Sequence, residues 1–364
     1  MPNAVLFPFL RSSLPFVRHF NGVQSIYRIT GALTWSGMGL VGKDVAFASN
    51  YPAVGVPVLA QLNYSDMNWD SLLIDYQSIA NEFSVMDTLD MFSQCLIAGK
   101  ELVFLCDSME CLDKQIIALS QEFLGQVRFR AANASVRKST QYIGKYSPIS
   151  VPIVLIGGLV NTDDVTEVLL SLKNRFTSEN YHVSCITSSN IGLLFGMHSF
   201  SHIFNNRALS EEEKILELNQ LVTNIIQMER PELILIEAPD AIFKFNPVVP
   251  NGFGIRSHMV IQAVEPDHFV CCVPSELIES EFINGLSQGL YNKYGFPISA
   301  VHATNDIVDM MTTLEDEAVT SVHISMDAVS KMLDKIPSDF PVPVSNVITH
   351  GVGNIFQHLC DVLI

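Results

Sequence analysis

The chain has 364 residues, 48% of them hydrophobic and only 16% charged, and 21 basic against 38 acidic side chains give a net charge of −17. At roughly 100–200 residues per domain, this length predicts two domains with sizeable cores, and the same numbers exclude disorder, a collagen helix and a coiled coil. Residues 1–150 carry 11 Lys and Arg against 12 Asp and Glu, whereas residues 151–364 carry 10 against 26. A second half so acidic repels phosphate backbones, so nucleic acid is not an expected partner.

The longest apolar run, residues 151–160, includes a proline and two glycines and falls well short of the roughly 20 residues that span a bilayer, so no membrane is expected. The start, MPNAVLFPFLRSS, has no basic residue before its apolar stretch and no small-residue cleavage site, which argues against a signal peptide. Seven cysteines, none in a CxxC pair, fit reduced thiols in the cytoplasm.

Short apolar runs alternate with amphipathic stretches along the chain, the pattern of α/β layering with largely parallel sheets. Residues 4–9, 25–29, 72–74 and 102–105 read as strands, and 86–98 and 112–124 as helices. Residues 125–148 hold five basic side chains (Arg128, Arg130, Arg137, Lys138, Lys145) and no acid. They read as a linker between domains, or as a small basic surface for an acidic partner segment. The second part restarts with a clean strand at 152–156, then Gly157-Gly158 and a helix over 164–177. Strands at 182–187, 232–237, 269–273, 298–302 and 321–324 follow, with helices at 209–228, 275–293 and 326–336 between them. Ser210 and Glu213 have capping-box spacing, and the tail reads as one more strand and a closing helix.

Four places could carry chemistry. Gly157 and Gly158 sit where nucleotide-binding α/β proteins put a phosphate loop, which needs a Lys and a Ser or Thr on Mg²⁺. Here no basic residue occurs until Lys173, and Asp163, Asp164 and Glu167 crowd the helix start. Carboxylates are stabilised in that field and occupy the place of an anion, so triphosphate binding is not expected there. A second cluster, Gly37-Met-Gly39-Leu-Val-Gly42-Lys43-Asp44, satisfies GxGxxG in letters but runs to Pro52 without a helical stripe. It reads as a structural turn, or as a ligand loop with Trp35, Lys43 and Asp44 exposed. The loop after the 182–187 strand places His198, Ser199 and His202 close in sequence. Two histidines four apart suit a metal only on a helix with a further ligand nearby, and none is at hand, so no metal is expected. Glu237, followed by Asp240, resembles the strand-end carboxylate that positions Mg²⁺ in phosphate-loop enzymes, without the other partners.

The stretch LTWSGMGLVGKD, the segment SSNIGLLFGMHSFSHIF, and PELILIEAP followed by NGFGIRSHMVIQAVEPD occur in this order and spacing. Together they resemble the bacterial peptide maturation system proteins, found in natural-product clusters that make ribosomal peptides (RiPPs), usually beside a radical-SAM peptide maturase. The resemblance spans about residues 1–275. It implies an accessory role in handling a precursor peptide, with no established reaction. Gly42, Lys43, Asp44, His198, Ser199, Phe200, Gly254 and Ile255 match its pattern best, whereas the family's Lys in the loop matching 161–164 is missing here.

The reading is thus an α/β protein of two domains, a Rossmann-like parallel sheet (1–147) followed by a degenerate P-loop-NTPase-like doubly wound sheet (148–364). The expected function is a cytoplasmic accessory protein that binds a precursor peptide or its maturase, without a cofactor and with a homodimer left open. The alternative is an ATP- or GTP-dependent enzyme with Lys43 reaching across an interdomain cleft and Glu237 or Asp240 holding the metal. A small-molecule module built on the His198 loop is a third.

Overall fold

The computed structural model describes residues 1–20, 26–35, 39–82, 86–132 and 145–363. The chain forms two compact units, one made of Met1–Arg137 with Ser189–His202, the other of Lys138–Ser188 with Ile203–Ile364. The excursion Ser189–His202 groups with the first unit, an assignment for which a linear division after residue 147 has no place.

The first unit holds β1 (Asn3–Phe7), β2 (Arg28–Leu33), β3 (Val58–Leu59), β4 (Ser71–Asp75), β5 (Glu101–Cys106) and β6 (Val127–Ala131). All are parallel, in the order β3-β2-β1-β4-β5-β6, which is the Rossmann order. The central strands are apolar along nearly their whole length because helices cover both faces of a parallel sheet. Phe92 meets Phe7 and Phe104 edge-on, with centroids 6.5 and 5.3 Å apart. The expected linker 125–148 needs correction at its start, since Val127–Ala131 is the edge strand β6. Its Phe129 stacks on Phe104 at 5.7 Å, and that apolar anchor outweighs the basic composition. Residues 133–144 of that stretch, and 21–25 before β2, lie outside the described residues.

The second unit holds β7 (Ile153–Gly158), β8 (Val183–Thr187), β10 (Leu233–Glu237), β11 (His268–Pro274), β12 (Ile298–Thr304) and β15 (Val344–Ser345), whereas the short edge strand β9 (His198–Ser199) belongs to the excursion that groups with the first unit. The sheet runs β15-β12-β11-β7-β10-β8-β9. The chain therefore reverses its direction of winding about β7, whose carboxyl end is the switch point where open α/β sheets bind ligands. The expected strand at 321–324 is instead β14 (Ser321–His323), paired antiparallel with β13 (Asp306–Val308) outside the main sheet. The helix Glu211–Glu229 begins with the Ser210–Glu213 capping box. No helix among the described residues is long and apolar enough to cross a membrane.

Asn219, 1% exposed on that helix, fixes the start of the second unit. Its Oδ1 accepts from Ser147 N at 2.9 Å, and its Nδ2 donates to the carbonyls of Ser147 and Ala263, each at 2.9 Å. Asn219→Leu orphans one amide and two carbonyls, so it is expected to lower the urea-unfolding free energy by about 2–3 kcal/mol. A loss below about 0.5 kcal/mol contradicts this role.

Candidate functional site

The loop after β7 is filled by the protein itself. A Cβ on Gly157 would stand 2.7 Å from Ala238 Cβ and 3.1 Å from Ile242 Cδ1, and one on Gly158 would stand 2.3 Å from Val160 O. The glycines serve close packing of protein against protein. Three of the loop's polar groups are bonded within the fold as well. Gly158 O accepts from Ile242 N at 3.0 Å and Leu159 N donates to Cys272 O at 3.0 Å, while Asn161 Oδ1 accepts from Ala241 N at 2.8 Å. Leu159 and Val160 are buried.

Counted from Gly158, the second glycine and the lysine of a GxxxxGK loop fall on Asp163 and Asp164. Asp164 is the first residue of the helix Asp164–Ser178 and is 2% exposed. His302, fully buried at the end of β12, lies with Nε2 3.1 Å from Asp164 Oδ2. Its Nδ1 accepts from Val347 N at 3.2 Å, so the ring proton sits on Nε2 and is donated to the carboxylate. Thr162 Oγ1 accepts from Asp164 N at 3.3 Å and donates to Asp306 Oδ2 at 3.2 Å. Asp306 Oδ1 in turn lies 2.9 Å from His323 Nδ1 and accepts from Ser321 Oγ at 3.1 Å. The Asp164–His302 hydrogen bond thus locks the helix start, and the dipole field there is used by an internal anion.

Glu237 ends β10, the strand beside β7. It is buried and accepts from Thr187 Oγ1, Ser188 N, Ser188 Oγ and Thr166. Burial raises its pKa above the ordinary carboxylate range despite these donors. Four donors fill the sites a carboxylate offers, so Glu237 is held by the fold's own hydroxyls and an amide. Asp240 caps a helix: its carboxylate accepts from Arg256 N at 3.1 Å, Ser257 N at 2.7 Å and Ser257 Oγ, at the start of Ile255–Val264. Gly254 permits this approach, with φ 66° and the Ile242 carbonyl 2.5 Å from where a Cβ would be. No group of three or more His, Cys, Asp or Glu among the described residues is arranged for a metal.

In the first unit the glycine cluster follows β2, not the first strand as a dinucleotide loop should; Gly37 lies outside the described residues. Gly39 and Gly42 take left-handed turns, with φ 70° and 80°. Trp35, expected to be exposed, instead packs partly buried against the core, its ring 4.8 Å from Phe7. Lys43 lies over the Phe47 ring at 3.8 Å. Asp44 organises the loop by accepting from the amides of Ala46, Val54, Gly55 and Val56. Burial pushes its pKa up, and these four donors outweigh it and hold the carboxyl below its ordinary value. His198 stands on β9 and His202 on the short helix Ser201–Phe204, so they share no helical face. Ser199 Oγ donates to Ser201 Oγ at 2.9 Å.

The same excursion completes a polar cluster that sequence reasoning missed. Asp75 ends β4 and pairs in register with Leu105. Asp107, two residues beyond Leu105, therefore falls on the same face. Asp107 Oδ1 accepts from Asn190 Nδ2 at 2.8 Å and lies 2.5 Å from Ser201 Oγ. Asp75 Oδ2 accepts from Ser78 Oγ at 2.5 Å, whereas its Oδ1 is buried with no partner among the described residues. Burial, against the bonds from Ser78 and with the charge of Asp107 adding, raises Asp75 to about 6. Burial lowers His202 below its ordinary value, with Asp107 pulling the other way. The available signal is a carboxylate closing an apolar strand, which SLLID and ELVFLCD share with the strand that ends in Glu237.

Two outcomes follow. His302→Leu leaves Asp164 buried without its donor, and is expected to cost about 3–5 kcal/mol in urea unfolding, most of which Asp164→Asn recovers in the double variant; additive losses contradict the pairing. Asp75 rises from 3.8 in the unfolded chain to about 6 in the fold, so its contribution to stability is greatest below the lower value and declines as pH rises through the upper one. Ionised at neutral pH it costs about 3 kcal/mol. Asp75→Asn should therefore unfold at higher urea than the parent at neutral pH, with the gain vanishing in acid. A gain that grows in acid contradicts the assignment.

No family model matches the chain, and no curated protein matches it. Among solved structures it is similar to a DUF1611 family protein from Anabaena variabilis ATCC 29413, with a TM-score of 0.62 and 12% identity over 99% of this chain and 100% of that one. At that identity the likeness concerns the fold. The chain is an α/β protein with two parallel sheets, one of six strands in Rossmann order and one of seven.

Proposed function

We propose that the protein is a non-catalytic accessory partner in the maturation of a ribosomally synthesised peptide, binding the precursor peptide or its radical-SAM maturase in the cytoplasm. The observation that carries the non-catalytic half is Asp164, buried and held by His302 where a phosphate loop presents its lysine. An enzyme of this architecture works by placing positive charge and backbone amides around phosphates. Here the charge is negative and the space above Gly157 is taken by Ala238 and Ile242. The peptide half rests on the ordered resemblance of the three segments to peptide maturation system proteins. The nucleotide-dependent alternative asks Lys43 to serve a loop of the other unit, whereas Lys43 sits over Phe47.

With the protein as bait, the precursor or the maturase encoded beside it should be retained, and calorimetry with ATP or GTP and Mg²⁺ should give no saturable heat. Retention of neither, or micromolar nucleotide binding abolished by Lys43→Ala, overturns the proposal.

A further inference from the structure

The two sheets end in strands of unequal kind. β15 and β9 are two residues long, and so is β3, whose outer side is taken by the loop before it: Val58 N donates to Lys43 O at 2.9 Å and Gly42 N to Val58 O at 2.8 Å. β6 differs. It runs five residues, VRFRA, without a proline, and no strand among the described residues pairs with its outer side. Leu102 N donates to Gln126 O at 2.8 Å, so residues of that parity, Arg128 and Arg130, turn their backbone toward β5. The amides and carbonyls of Val127 and Phe129 then point outward, the template on which an extended peptide adds to a sheet.

The side chains specify what fits. Phe129, stacked on Phe104, keeps the strand anchored, while Arg128 and Arg130 are exposed together on the other face. Arg128, 59% exposed, already meets a carboxylate from its inner neighbour, with Nη2 2.8 Å from Glu101 Oε1. Arg130 stands opposite Leu105 in register, and no carboxylate among the described residues pairs with it. A second copy of β6 in flush antiparallel register would set Arg128 against Arg130 twice, a like-charge contact that opposes self-association. An incoming strand with carboxylates at alternate positions would instead meet arginine at each.

We infer that the outer edge of β6 is a docking site for an acidic peptide segment, which joins the first sheet as a further strand with its carboxylates facing Arg128 and Arg130 and apolar residues alternating between them. The inference rests on the peptide-binding reading above and gives that reading a place and a chemistry. Charged edge residues also discourage sheet-to-sheet aggregation; docking differs from that role in requiring saturable, sequence-dependent binding.

The test is fluorescence anisotropy of a labelled six-residue peptide alternating valine and glutamate, titrated with the full-length protein at low salt. Saturable binding is expected. It should weaken by about tenfold or more in Arg130→Glu, whose circular dichroism should match the parent, and weaken with added salt. Lysine in place of glutamate, or N-methylation of the peptide's edge-facing amides, should abolish it. Absence of saturable binding, or equal binding by Arg130→Glu, overturns the site, and so does a dimer in light scattering that Arg130→Glu dissolves, which assigns the edge to a second copy. If the native precursor is retained equally by the parent and Arg130→Glu, the accessory reading stands and the β6 assignment falls.

Discussion

The hydrogen bond from His302 Nε2 to Asp164 Oδ2 closes the position at which a phosphate-loop protein offers its cation, and ties the start of the helix Asp164–Ser178 to β12. A carboxylate buried at a helix start needs a donor, because without one the desolvation cost is several kcal/mol. His302 meets that need only because Val347 N occupies its other ring nitrogen and fixes the proton. Thr162 extends the lock to Asp306 and His323. A side chain of opposite charge at position 164 would find a histidine N–H facing it, so converting the loop back to phosphate binding requires change on β12 as well as on the loop.

The first unit keeps the Rossmann strand order and uses its ligand edge differently. The turn after β1 carries no glycine-rich sequence, and the glycine cluster after β2 is organised by the carboxylate of Asp44. What gathers at the carboxyl ends of β4 and β5 is a pair of acids, with Asn190 and Ser201 brought in by the excursion. Both units thus gather buried carboxylates at the carboxyl ends of their strands or in the turns that follow them, although the chains of cause are separate. In the second unit the acid is hydrogen-bonded by a histidine, whereas in the first one oxygen of Asp75 has no partner among the described residues.

Much of the framework was legible. Largely apolar runs gave β4, β5, β7, β10, β11 and β12 to within a few residues, because strands buried on both faces leave no other pattern. The capping box at Ser210 and Glu213 was legible because it is local. The acids at the start of Asp164–Ser178 were legible as a cluster at a helix start, but their partner was not. His302 is 138 residues away, and no spacing rule connects them. The same limit hid the grouping of Ser189–His202 with the first unit and the meeting of Asp107 with Ser201. Strand β6 was missed for another reason: its alternation is short, basic on one face, and set in a polar stretch, so composition outweighed periodicity.

The central claim is that the helix start at Asp164 is internally satisfied and has no room for a phosphate. Amide hydrogen exchange of residues 158–166, measured with and without ATP and Mg²⁺, tests it most directly. Exchange that nucleotide leaves unchanged is the predicted result. Fast exchange in the free protein, slowed by nucleotide in a saturable way, would contradict it.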